Sequence, residues 1–132
     1  MSAVEFGRLL PHRDLSRAGA LAELSAQLEE LLARLSPDVV VVETPFIGRF
    51  PKAALALAEA RGALLAVLGR WGGEVVEYEP ARVKAAVVGH GRAEKQQVAY
   101  VVRHALNLAT EPPADAADAL AIALCHVRSV LP

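Results

Sequence analysis

A chain of 132 residues, 54% hydrophobic and 22% charged, has the bulk for one domain with a real core and too little for two. The formal net charge of −1 excludes binding to nucleic acid driven by overall charge, so any such contact must come from a local patch. No stretch has the length of a membrane span, and the N-terminus lacks the basic-then-apolar pattern of a signal peptide. With a single cysteine, Cys125, inside an apolar run, this points to a reducing, cytoplasmic setting with no membrane partner.

Val4–Leu10 reads as a short strand ended by Pro11. Leu21, Leu24, Leu28, Leu31, Leu32 and Leu35 recur at helical spacing and predict an amphipathic helix over Asp14–Leu35, with Asp14 as its cap. Ser36-Pro37-Asp38 breaks it. Val39–Val42 is an unbroken β-branched run, the pattern of a strand buried on both faces, and it leads straight into Glu43. Burying an unpaired carboxylate there would be costly, and sites in open α/β sheets form just beyond the carboxyl ends of strands. Glu43 is therefore a candidate ligand; the plainer alternative is an acid turned to solvent.

From Pro51 to Gly69 the apolar residues run nearly all round, which predicts a helix buried over much of its surface. Gly62 in its middle costs about 1 kcal/mol relative to alanine, so close packing against a neighbour is expected there. Gly72–Gly73 marks a turn and Glu74–Tyr78 a second strand. Pro80–Val88 reads as a short helix carrying Arg82 and Lys84, ended by Gly89-His90-Gly91. Glu94–Leu108 reads as another, with Val98, Val101, Val102 and Ala105 on one face and Lys95 near its start. Arg82, Lys84, Arg92, Lys95 and Arg103 stand against the single acid Glu94, a basic segment that a solvated helix face would also produce. The expected order is β-α-β-α-β-α-α-α, an α/β domain spanning the whole chain.

The last helix begins in Ala114–His126, where Asp115 and Asp118 lie three residues apart and project from one side. An acid at a helix start is ordinary capping, favoured by unpaired N–H groups and the helix dipole. Pro112-Pro113 already marks this boundary, however, and one acid would serve. The other reading is a metal site, for which Glu43 supplies the third carboxylate. The four histidines, His12, His90, His104 and His126, lack zinc-ligand spacing and read as incidental. Cys125 reads as a buried, unreactive thiol.

Several stretches taken together resemble the RuvC-type Holliday junction resolvases. They are Val42-Glu43-x-x-Phe46, Ala60-Arg61-Gly62, Val83-Lys84, Val87-Val88-Gly89-x-Gly91-x-Ala93-x-Lys95-x-Gln97-Val98, and the run from Ala114 to Ala123. The resemblance covers about Phe6 to Val127. It implies a ribonuclease-H-like three-layer fold with a mixed sheet, and a homodimer that binds four-way DNA junctions. It further implies symmetric nicking of two opposing strands with magnesium (manganese also suits), in recombination and repair.

Glu43, Asp115 and Asp118 fall on three of that family's four metal-binding acids. Lys84 and Lys95 fall on basic residues beside the scissile DNA, and Phe46 on an aromatic that reaches the bases at the junction centre. Lys95 is thereby expected to serve catalysis, and Arg82 and Arg92 to add DNA contacts. Branch-migration proteins are partners that the resemblance suggests. The family's first strand, ending I-D-P-G and bearing the fourth acid, and its second strand have no counterpart here; Met1–Leu10 matches the third. Phe50 stands where many relatives carry a polar residue. The expectation is thus a chain that is N-terminally incomplete relative to the family. It is either an active resolvase in its complete form or a junction-binding or interaction protein that has lost the chemistry. A different ribonuclease-H-like nuclease is a third reading.

Overall fold

Seven elements follow one another in the computed structural model, which describes residues 1–44 and 51–131. They are α1 (Arg17–Leu35), β1 (Val39–Glu43), α2 (Pro51–Trp71), β2 (Glu74–Tyr78), α3 (Pro80–Val87), α4 (Lys95–Ala105) and α5 (Ala114–Val130). Among the described residues β1 and β2 form a two-stranded parallel sheet, as a strand–helix–strand crossover requires. The backbone N–H of Thr44 donates to the carbonyl of Tyr78 at 2.8 Å and carries the pairing one step past Glu43.

The chain divides into two compact units. One comprises Met1–Arg8, Val41–Phe46 and Val76–Pro132; the other comprises Leu9–Val40 and Ile47–Val75. In the second unit α1 packs against α2 through Leu32, Val67 and Leu68, the buried hydrophobics of that pair. Ion pairs Arg17–Glu59 at 3.1 Å and Arg70–Glu29 at 3.0 Å fix the two helices side by side and running the same way.

In the first unit α3, α4 and α5 pack on one another around Val83, Val87, Val98, Val102, Ile122, Leu124 and Cys125. Alanines 116, 117 and 121 on the buried face of α5 let its neighbours approach closely. The start of α4 is closed by a capping box: Glu94 accepts from the backbone of the first turn, and its own N–H donates to the Gln97 side chain at 2.9 Å. The end of α3 is closed from α5, where the Arg128 guanidinium donates to the carbonyls of Ala86 and Val87 at 3.1 and 3.0 Å.

Four sequence expectations are corrected. Val4–Leu10 forms no strand: the segment is irregular, with Val4 91% exposed, and its backbone pairs with no strand among the described residues. The first helix starts at Arg17 rather than Asp14, because the Ser16 hydroxyl accepts the N–H of Gly19 at 3.1 Å while Asp14 sits in the preceding turn. β1 is half-buried throughout rather than enclosed on both faces. On α2, Leu55 and Leu57 are about half exposed, and nothing lies within 4 Å of where a Cβ on Gly62 would stand, so close packing does not explain that glycine.

Candidate metal and DNA site

Glu43 ends β1, and the backbone bond from Thr44 to Tyr78 holds the strand on its line up to the carboxylate. The cap position of α5 is Pro113, which makes no side-chain capping bond, so the two aspartates of this helix are not its cap. Asp115 and Asp118 leave the exposed side of α5, while Ala116 and Ala117 between them are buried. The requirement that α5 bury its alanines is what turns the acids outward.

A concavity of about 230 Å³ opens where these elements meet. Glu43, Lys84, Lys95 and Asp118 supply its polar wall, and Val83, Val98 and Ile122 its apolar floor. A second concavity of about 160 Å³ also uses Lys95 and Asp118, together with Glu111 and Pro112. The pair that lines both is an ion pair, with Lys95 Nζ 3.4 Å from Asp118 Oδ2. Burial pushes the carboxyl of Glu43 above its usual range, and the negative charge of Asp118 pushes it further; Lys95 and Lys84 offset part of this. A half-buried carboxyl whose proton affinity is raised by burial and by a neighbouring carboxylate is a setting that a divalent cation relieves.

Of the three acids expected to share a metal, the structure thus brings Glu43 and Asp118 to one concavity. It turns Asp115 elsewhere: Arg8 Nε lies 3.1 Å from Asp115 Oδ2. Among the described residues no three His, Cys, Asp or Glu side chains form a group that could hold a metal ion in this arrangement. Lys84 and Lys95 line the same concavity as Glu43 and Asp118. Arg82 is directed otherwise, with its guanidinium carbon 5.4 Å from the centre of the Tyr78 ring. Arg92 lies exposed in the turn before α4, and Phe46 lies outside the described residues.

Sequence reasoning missed two contacts. Arg8 and Asp115 are 107 positions apart, and no spacing rule links them. His126, read as incidental, lies with Nδ1 2.8 Å from the phenol oxygen of Tyr78. The signal available was an aromatic with a polar tip closing a strand that leads into a helix, since a buried phenol needs a partner.

The chain is similar to known proteins along nearly all its length. A family described as "Crossover junction endodeoxyribonuclease RuvC" matches residues 2–126. A protein of that name from Alkalilimnicola ehrlichii is 50% identical over 108 residues, which cover 82% of this chain and 66% of that one. Another, from Heliobacterium modesticaldum, is 43% identical over 131 residues, covering 98% and 81%. The chain therefore spans about two thirds to four fifths of the length of these relatives. Among solved structures, T. thermophilus RuvC in complex with Holliday junction substrate superposes with a TM-score of 0.84 at 36% identity, covering 92% of this chain and 74% of that one. A further T. thermophilus RuvC structure gives 0.79 at 37%, covering 89% and 71%.

Proposed function

This chain belongs to the RuvC family of crossover junction endodeoxyribonucleases, with their ribonuclease-H-like fold, and from that premise we propose that it resolves four-way (Holliday) DNA junctions by metal-dependent nicking of two opposing strands. The single observation that carries the reading is the meeting of Glu43 and Asp118 at one concavity whose walls also hold Lys84 and Lys95. Acids without cations would repel a phosphodiester, and cations without acids would bind one without holding a metal. Both together suit metal-assisted hydrolysis.

In this proposal the oxygens of Glu43 and Asp118 hold a hard divalent cation, and Asp115 joins them when it leaves Arg8. Magnesium fits this donor set, as does manganese. Such an ion, when bound, activates water and stabilises the leaving oxygen. Lys95 and Lys84 bind the scissile phosphate and offset its charge in the transition state. Arg82 and Arg92 add contacts to the DNA backbone, which position it without reading sequence. Phe46 is assigned stacking against bases at the junction centre.

The reading extends to a homodimer, for which the exposed Leu55 and Leu57 of α2 offer apolar surface to cover. It also extends to the cytoplasm as the place of action, and to branch-migration proteins as partners in recombination and repair. No described helix is long and apolar enough to cross a membrane.

The second reading, a protein that binds junctions without cutting them, is favoured by the ion pair that holds Asp115 to Arg8. One experiment separates the two. A labelled four-way junction is incubated with the purified chain, with and without magnesium, beside plain duplex and an RNA–DNA hybrid. Paired symmetric nicks that need the metal and favour the junction support resolution. A junction bound but left intact supports the second reading, and preferential cutting of the hybrid points to a different nuclease.

A further inference from the structure

Glu43 and Asp118 come from a strand end and a helix far apart in the sequence, and carboxylates that share an ion must be held to within a fraction of an ångström. One residue is bonded to both elements. The carbonyl of Tyr78 accepts the N–H of Thr44 at 2.8 Å, next to Glu43. Its phenol oxygen lies 2.8 Å from Nδ1 of His126, on the helix that carries Asp118. His126 follows Asp118 by about two turns, roughly 12 Å along the axis, so a hold on it resists both sliding and rotation of α5.

The ring itself is fixed. Tyr78 is only 8% exposed and belongs to the buried cluster with Val83, Ile122 and Cys125. The Arg82 guanidinium covers one face, and the His126 ring stands tilted with its centre 5.8 Å away. With the imidazole proton on Nε2, the phenol O–H donates to Nδ1. A side chain needed only for packing could be phenylalanine here. The hydroxyl adds direction, because breaking its bond leaves a part-buried polar pair unmatched.

We infer that the Tyr78–His126 hydrogen bond is a positioning bridge that sets the separation of Glu43 from Asp118, and thereby the affinity of the site for a divalent cation. Neither residue touches substrate or metal; both act through the acids. The inference rests on the metal-dependent reading above and deepens it.

The test reads ion binding directly and apart from cleavage. Mn²⁺ affinity is measured by electron paramagnetic resonance on the full chain and on Tyr78→Phe, His126→Leu, His126→Asn and the double variant Tyr78→Phe/His126→Leu. Circular dichroism confirms that each is folded at the temperature used. Tyr78→Phe and His126→Leu are each expected to weaken binding by about 10- to 100-fold. His126→Asn, which keeps a polar atom near the place of Nδ1, restores most of the loss. The double variant is no weaker than the worse single, because both remove one interaction. Leu32→Ala, a core change in the other compact unit, lowers stability and leaves ion affinity unchanged. In junction cleavage the bridge variants need more magnesium but regain most of the rate at saturation.

Folded Tyr78→Phe and His126→Leu with wild-type Mn²⁺ affinity would overturn the bridge while leaving the metal reading standing. A wild-type chain that takes up no Mn²⁺ would overturn both.

Discussion

The guanidinium of Arg8 lies 3.1 Å from the carboxylate of Asp115, although one belongs to an irregular N-terminal segment and the other to the first turn of α5. Both side chains are substantially exposed, at 49% and 70%, so the pair adds little to stability, about 0–1 kcal/mol. Its effect is on position: an acid held by arginine is not available to a cation. Arg8→Ala is therefore expected to leave thermal stability nearly unchanged and to tighten Mn²⁺ binding by a few fold. Weaker binding in that variant would mean that Arg8 supports the site rather than competing for its acid.

Lys95 is the most exposed member of the cluster, with 77% of its side chain open to solvent. Lys95→Ala should shift stability by no more than about 0.5 kcal/mol. Cleavage of a four-way junction should fall by about 100-fold, the scale set by removing one charge-stabilising donor. An undiminished rate would return Lys95 to the ordinary role of a solvated helix residue.

Glu43 links activity to stability through its raised carboxyl pKa. The folded chain holds this proton more tightly than the unfolded chain, whose value is near 4.5. Ionising Glu43 thus costs the folded state stability as pH climbs from about 4.5 through the higher folded value, and the cost stays in full above it. In metal-free buffer Glu43→Gln should melt above wild type at pH 7, and the gap should close below pH 4.5. The same variant should lose more than about 100-fold in junction cleavage. Asp118→Asn removes the repulsion and should bring the Glu43 titration back toward its usual range, read by NMR. A gap that widens on acidification would contradict the burial assigned to Glu43.

Gly62 lies inside α2 with nothing near the place of a missing Cβ. Gly62→Ala should stabilise the chain by about 1 kcal/mol in urea unfolding, the helix propensity difference with no packing penalty. Destabilisation would show that this glycine faces something absent from the isolated chain, such as a second copy.

Cys125 is fully buried, and burial raises its thiol pKa. An aromatic disulfide reagent should leave it untouched in the folded chain and label it once in denaturant. Rapid labelling under native conditions would mean that α5 opens far more often than its packing suggests.

Much of this architecture was legible because local chemistry agreed with the fold. β2 spans Glu74–Tyr78, the same bounds as the sequence pattern, and α3 starts at Pro80 as expected. Cys125 is buried, and Glu43 stands at a strand end beside Asp118. What escaped depends on partners distant in sequence. Val4–Leu10 has strand-like residues, but a strand needs a neighbour, and its Arg8 goes to a helix instead. α2 is apolar all round, yet in its own unit α1 covers only one side, so Leu55 and Leu57 stay open. The link between Tyr78 and His126 had no motif to announce it, because a phenol and an imidazole can each be satisfied in many ways.

The three helices that carry Lys84, Lys95, Asp115 and Asp118 are consecutive in the chain and pack on one another. Contacts between sequence neighbours close short loops and form early in folding, whereas Glu43 lies beyond α2 and β2 and must be brought in across a longer stretch. The pair of Lys95 and Asp118 is therefore expected to form before Glu43 joins it. On the proposed reading, a partly unfolded chain that keeps these three helices packed would hold its lysines and Asp118 together without the strand-end acid, and cutting would wait on the docking of β1.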